Sequence, residues 1–285
     1  MNYEFPHINN INDVLPAIAD SDEFIVAERD GYTVINYLVA FDKTFPVVDS
    51  VEAAIRRECR GLVFDTNGAV LSRRFHKFFN AGERPETTGV ALDRPHVILE
   101  KLDGSMITPL MIDDRVCWGT KMGLTEIGLS VREFVNMNPH RHFDMFARFC
   151  YDRNITPIFE FCSRSNRVVI DHPSDRLVLL AVRDNHNGAY VSYNDLRHFA
   201  LTYNIELVRV YEGNADSMEA LIAETRATDD NIEGYVVRFD DGHMLKIKAD
   251  AYLRLHRVKD SLTSERRLMA CVHNNDVDDL FPNRS

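Results

Sequence analysis

The chain is 285 residues long, 45% hydrophobic and 27% charged, a globular composition that excludes collagen-like repeats, low-complexity disorder and disulfide miniproteins. Its formal net charge of −11 argues against a non-specific nucleic-acid coat. No apolar run approaches the roughly 20 residues of a membrane span, no signal-like pattern opens the chain, and five scattered cysteines without Cys-x-x-Cys spacing fit a reducing cytoplasm.

In chain order, Ile11–Ala19 predicts a helix. Phe24–Ala27 and Tyr32–Leu38 then flank Asp30-Gly31, and Gly61–Phe64 and Ala69–Phe75 flank Asn67-Gly68. Val97–Glu100 reads as a strand and Leu124–Val135 as a helix. Val178–Val182 and Ala189–Ser192 flank Asn187-Gly188, followed by a helix over Asn194–Leu201 with Ser192 or Asn194 as its cap. A helix over Ser217–Ala227 precedes Tyr235–Phe239 and Met244–Ile247, which flank Asp241-Gly242. Asn-Gly and Asp-Gly supply the positive φ that hairpin turns need, so each pair of strands predicts a hairpin. Hairpins interleaved with helices, without regular βαβ alternation, predict an α+β fold with antiparallel sheets. There is no GxxxxGK loop and no GxGxxG, so the P-loop and Rossmann routes to a nucleotide are unsupported.

Charge is distributed unevenly. Arg56 to Arg84 holds seven basic residues against three acidic ones, and Lys246 to Lys259 holds five against Asp250 alone. Such clusters in an acidic chain are candidates for phosphate binding. The chemistry centres on Lys101-Leu102-Asp103-Gly104, a lysine at a strand end followed by a turn. Around it stand Glu58-Cys59-Arg60-Gly61, Lys77-Phe78-Phe79-Asn80, Lys121, Phe159-Glu160-Phe161, Glu233-Gly234-Tyr235-Val236 and Lys246-Ile247-Lys248. Lys246 and Lys248 lie two apart on a strand and share a face, where like charges repel unless an anion lies between them.

These residues, in this order, resemble the covalent nucleotidyltransferases, most closely the phage RNA ligase 1 family of ATP-dependent RNA ligases. Lys101–Gly104 resembles the nucleotidyl-lysine motif, Glu160 the central acidic motif, Glu233–Val236 the E-G-x-V motif and Lys246–Lys248 the closing K-x-K motif. The Glu58–Gly61 and Lys77–Asn80 blocks, with the stretch from Phe159 to Ile170, point to this ligase family in particular.

The resemblance implies a nucleotidyltransferase (adenylation) domain over residues 1–260, with antiparallel sheets flanked by helices around an ATP groove. Residues 261–285 would then be a short helical tail, the vestige of a C-terminal domain. It implies that Lys101 attacks the α-phosphate of ATP to give lysyl-AMP, that AMP passes to an RNA 5′-phosphate, and that a 3′-hydroxyl displaces it. Lys246 and Lys248 would act at the α-phosphate, and Arg60, Lys77 and Lys121 at the other phosphates or the RNA. Glu100 and Gly104 would lie at the nucleotide, and Glu160 and Glu233 would hold Mg²⁺ or Mn²⁺ together with phosphate oxygens. Neighbouring cations and desolvation would favour the neutral Lys101 amine, and Gly104 would let the backbone approach the nucleotide. The implied partner is RNA with 5′-phosphate and 3′-hydroxyl ends, single-stranded or in a tRNA loop, in RNA (tRNA) repair in the cytoplasm, without a membrane.

Other side chains have plainer readings. Asp103 suits a turn; Phe75, Phe78 and Phe79 suit the core; His140 and His142 suit a solvated loop rather than a metal pair; Tyr252 fits either the core or a nucleotide contact. Only 37 residues follow Lys248, too few for the five-stranded OB domain of DNA ligases and capping guanylyltransferases. A non-catalytic RNA-binding module gives no reason for Lys101, Glu160, Glu233, Lys246 and Lys248 to occur together.

Overall fold

The computed structural model describes residues 5–137, 142–165, 167–228 and 231–259. The chain opens with a 3-10 turn at Ile11–Asp13 and a short helix α1 (Leu15–Ile18), then β1 (Phe24–Arg29), β2 (Tyr32–Tyr37), α2 (Val51–Glu58), β3 (Arg60–Asp65), β4 (Val70–Ser72) and β5 (Phe79–Asn80). There follow β6 (His96–Lys101), β7 (Ser105–Ile112), β8 (Arg115–Thr120), β9 (Gly123–Leu124), α3 (Glu126–Asn136), α4 (His142–Tyr151), β10 (Ile155–Cys162) and β11 (Arg176–Asp184). α5 (Tyr193–Tyr203), α6 (Met218–Ala227), β12 (Gly234–Phe239) and β13 (Met244–Lys248) complete the named elements, and a helical stretch over 250–259 follows.

The strands form three sheets. The N-terminal sheet has the order β1-β2-β3-β4, the central sheet β11-β10-β7-β8-β9, and the C-terminal sheet β5-β13-β12-β6. Every ladder is antiparallel except the short β5–β13 pair. The α+β class with antiparallel sheets is therefore as the turn chemistry predicts. The first, second and fourth hairpins form at their Asx-Gly turns.

The third hairpin does not form as a second full strand. Residues 189–191 make only short pairings with β11, through Asp184 N to Ala189 O and Val191 N to Val182 O, before Ser192 turns the chain into α5. The helix expected over Ile11–Ala19 is split, because Pro16 cannot donate into a preceding turn and instead begins a new one. α2, capped by Ser50, and α4 were not evident from periodicity. His142 opens α4 rather than sitting in a loop; His140, residues 261–285 and Cys271 lie outside the described residues.

Alternation in the strands decides what faces what. Phe159 and Phe161 of β10 enter the core that α3, α4 and α5 make with the central sheet, so Glu160 between them faces the other way. Glu160 is interior to the sheet, not on an edge strand. Tyr235, Val237 and Phe239 pack toward α6 with Ile98, Leu245 and Ile247, which turns Gly234, Val236 and Arg238 to the opposite face. Leu99, Leu102, Cys162, Val178 and Val208 join the central and C-terminal sheets. Among the described residues no helix is long and apolar enough to cross a membrane, and Cys59, Cys117, Cys150 and Cys162 are free thiols.

A buried ion cluster ties the N-terminal sheet to β11. Glu58 Oε2 accepts from Arg73 Nε at 3.1 Å and Arg183 Nη1 at 2.7 Å, and Oε1 accepts from Arg183 Nη2 at 2.7 Å. Arg73 also donates to the carbonyls of Pro6 and His186, and Arg183 to that of Gly188. All three side chains are fully buried. Burial alone would raise the Glu58 carboxyl; the two guanidinium groups outweigh it and hold the group at about 2, against an ordinary 4.5.

Replacing Glu58 by glutamine leaves two buried guanidinium groups without a counter-charge, at an expected cost of about 3–5 kcal/mol in urea denaturation. Because the folded carboxyl is depressed, its contribution is complete above the unfolded value and is lost as pH falls from about 4.5 toward about 2. The melting temperature of the unaltered protein should drop through that window, and that of Glu58→Gln should change less.

Candidate active site

The central and C-terminal sheets enclose a groove of about 210 Å³. Its lining includes Arg60 of β3, Lys77 ahead of β5, Glu100 and Lys101 of β6, Met106 of β7, Glu160 of β10, and Lys246 and Lys248 of β13. Seven of the residues marked in the sequence thus meet in one cleft, although as many as 188 positions separate them in the chain (Arg60 to Lys248).

Register creates the centre of the site. Gly234 pairs with Lys101 on one side and with Lys248 on the other, so the two lysines lie in one row across three strands. Glu233, the residue before that row, is buried beneath them. Its Oε2 lies 2.7 Å from Lys101 Nζ and its Oε1 2.9 Å from Lys248 Nζ. One carboxylate holds both ammonium groups. Gly234 makes the approach possible: its φ is +142°, and a Cβ there would stand 2.0 Å from the Ile247 carbonyl oxygen and 2.8 Å from Lys248 Cα. No other residue fits that backbone without displacing β13.

Lys246 lies one rung further along. Burial, with Arg60 and Lys77 beside it, pushes its amine down to about 7. Lys101, by contrast, meets a carboxylate first, Glu233 Oε2 at 2.7 Å. Lys77 and Lys121 both sit over the ring of Tyr37, at 4.9 Å and 5.0 Å. Burial would raise the Tyr37 hydroxyl, but Arg60, Lys77 and Lys121 together lower it. These three cations thus converge around Tyr37; Arg60, Lys77 and Tyr37 line the groove, whereas Lys121 is not among its lining residues.

Glu160 faces the groove with no ion pair among the described residues, and burial pushes its carboxyl up to about 8, with Lys101 opposing and Glu233 adding. A half-buried carboxylate lining a groove with several cations suits a hard divalent cation completed by substrate oxygens. Glu160 fits that role. Glu233 fits it only by giving up a lysine, since both its oxygens are engaged.

Other expectations are revised. Gly104 is not among the groove lining; a Cβ there would lie 2.4 Å from the Phe161 carbonyl oxygen and 3.2 Å from Glu160 Cγ, so its bareness lets the loop pack on β10. Asp103 is more than a turn residue. Its Oδ2 accepts from Val169 N at 2.7 Å and Ile170 N at 2.6 Å, and its Oδ1 from the Tyr252 hydroxyl at 2.8 Å. Tyr252 is thereby a buried structural contact, with Lys248 5.2 Å over its ring. Phe79 is core, whereas Phe75 and Phe78 line the groove. The Arg56–Arg84 cluster is not one phosphate-binding surface, because Arg57, Arg73 and Arg74 are buried in structural contacts. Sequence reasoning missed Tyr37 and Arg238, which also line the groove. Alternation in β2 and β12 was the available signal for both.

The model of the family described as RNA ligase matches residues 58–252. The chain is 32% identical over 255 residues to a Thermovibrio ammonificans protein named, by inference, an RNA ligase, covering 86% of this chain and 66% of that one. It is 26% identical over 241 residues to RNA ligase 1 of Bacteriophage TS2126, covering 81% and 58%. The chain thus spans less than two thirds of the length of each of these curated relatives. Its fold resembles that of an archaeal ATP-dependent RNA ligase, with a TM-score of 0.55 at 14% identity over 85% of this chain and 62% of that one. That likeness establishes the nucleotidyltransferase fold.

Gly234→Ala is expected to destabilise the protein by about 1–3 kcal/mol from backbone strain alone, read as a lower urea midpoint. An unchanged midpoint would mean that β13 yields without cost and that the row is not held by this glycine.

Proposed function

The chain belongs to the RNA ligase family, and from that premise we propose that it is an ATP-dependent RNA ligase joining 5′-phosphate and 3′-hydroxyl RNA ends in RNA repair. The observation that carries this reading is that one buried carboxylate, Glu233, holds Lys101 and Lys248 on a groove that Arg60, Lys77 and Lys246 also line.

In this reading Lys101 attacks the α-phosphate of ATP, a P–N bond forms and pyrophosphate leaves. The attacking amine must first shed a proton, and Glu233 is the base within reach at 2.7 Å. Lysine suits the task because its amine deprotonates, whereas guanidinium does not. Charge grows on the phosphate oxygens, so pre-placed cations stabilise the transition state. Lys248 in the row and Lys246 one rung along are those cations; Lys246, poised near 7, gains its proton fully when a phosphate arrives. Arg60, Lys77 and Lys121 stand where the outer phosphates or an RNA phosphate would lie. A divalent ion, Mg²⁺ or Mn²⁺, held by Glu160 and the phosphates would neutralise further charge when bound. AMP then passes to the RNA 5′-phosphate, and the 3′-hydroxyl displaces it.

The RNA would be held through its phosphates, by the groove cations and by the exposed Arg254 and Arg257 on the helical stretch over 250–259. Such contacts position a strand without reading its bases.

Incubation with α-labelled ATP followed by denaturing electrophoresis should label the unaltered protein and leave Lys101→Ala unlabelled. The Lys101→Ala protein should still seal RNA that already carries a 5′-adenylate, since that step needs no nucleophilic lysine. Labelling of Lys101→Ala would overturn the assignment. Glu233→Ala, Lys246→Ala and Lys248→Ala should each slow labelling by at least ~100-fold, the loss of one transition-state electrostatic contact. RNA binding should weaken as salt rises, with a log–log slope of roughly −0.7 per neutralised phosphate, measured by filter binding at several ionic strengths.

A further inference from the structure

The two ends of the groove differ because of register. On the groove face of the C-terminal sheet, β6, β12 and β13 align three successive rungs: Lys101–Gly234–Lys248, Leu99–Val236–Lys246 and Val97–Arg238–Met244. The third rung lies about 13 Å along the strands from the first, four residues at ~3.3 Å each. The first rung is ionic. From the second rung to the third, Leu99, Val236 and Met244 give the sheet an apolar groove face beside Lys246 and Arg238, and Leu180 and Val208 add apolar lining.

Arg238 is the exception at that end. It lines the groove yet is only 6% exposed. Among the described residues its guanidinium makes one long hydrogen bond, Nη2 to the Val191 carbonyl at 3.5 Å, and Nη1 meets no partner. No carboxylate pairs with it among the described residues, in contrast to Arg73 and Arg183, whose buried charges meet Glu58. A buried donor left unmade costs about 1–3 kcal/mol, so a ligand that completes it gains correspondingly.

We infer that Arg238 is a specificity-determining residue for the nucleotide, donating from Nη1 to a ring nitrogen of the purine base. The inference rests on the reading of this groove as the ATP site. A guanidinium has donors only, so its partner must be an acceptor. The purine ring supplies such acceptors at N1, N3 and N7, while the adenine amino group does not; N3 lies beside the ribose, so N1 and N7 are the acceptors on the outer edges of a base that points away from the ionic rung. The apolar walls fit the two faces of a base, and phosphates placed at the ionic rung leave the base at the Arg238 rung. A site built around a buried donor strongly rejects a ligand that lacks the matching acceptor.

The test measures enzyme–nucleotide formation with ATP, 7-deaza-ATP and 1-deaza-ATP, in the unaltered protein and in Arg238→Leu and Arg238→Lys. Each deaza analogue replaces one ring acceptor by C–H. In the unaltered protein one of the two should show a KM about 10- to 100-fold above that of ATP, the loss of a hydrogen bond to a charged group. In Arg238→Leu the KM for ATP should rise by a similar factor, the maximal rate should change little, and the analogue should no longer be distinguished from ATP. Such a rise in KM alone marks lost uniform binding rather than lost catalysis. Equal KM values for ATP and both analogues in the unaltered protein would overturn the inference, and so would an unchanged KM for ATP in Arg238→Leu. If Arg238→Leu does not fold, the analogue series on the unaltered protein decides alone, and Arg238→Lys should show a raised KM for ATP. Failure of the unaltered protein to label with ATP at all would instead contradict the adenylation reading.

Discussion

A bare glycine between two lysines organises this site. Gly234 lies in register with Lys101 and Lys248, and its missing side chain lets β12 and β13 run close enough for Glu233 to reach both ammonium groups. The consequences spread along the strands. Once the row is fixed, alternation places Leu99, Val236 and Lys246 on the next rung and Arg238 on the one after. Which side chains of the C-terminal sheet face the groove, Lys101, Lys246 and Lys248 among them, follows from that single alignment.

Charged residues here do two kinds of work, and burial separates them. Glu58, Arg73 and Arg183 are fully enclosed and mutually paired, and they join elements far apart in sequence. Such a cluster is a poor source of net stability but a costly one to break, which makes it a strict constraint on how the N-terminal sheet seats against β11. Arg60 follows Glu58 by two residues yet faces the groove, as does Lys77. The structural cluster therefore positions the cations beside it. Asp103 plays the same part next to Lys101, clamping the 169–170 backbone and Tyr252.

Much of this was legible in the sequence, for identifiable reasons. Three hairpins were visible because Asx-Gly turns are local chemistry. The lysines of β13 were visible as a pair because strand periodicity is local too. The assembly of Lys101, Glu160, Glu233, Lys246 and Lys248 was legible only through the ordered set of motifs, since the pairings that join them are long-range. What stayed hidden depends on packing. Nothing in the order of the chain says that Arg73 and Arg74 turn inward while Arg60 does not, or that the spare space at Gly104 is taken by β10. Tyr37 and Arg238 were likewise ordinary strand residues until the sheets closed over the groove.

The most direct test of the account is to locate the nucleotide on the protein. The unaltered chain is incubated with ATP and a divalent cation, digested, and its peptides are mapped by mass spectrometry. The account predicts one adenylylated residue, Lys101, on the peptide containing Leu102-Asp103-Gly104. Modification at Lys246, Lys248 or a lysine outside the groove, or no modification under conditions where the protein seals RNA, would contradict it.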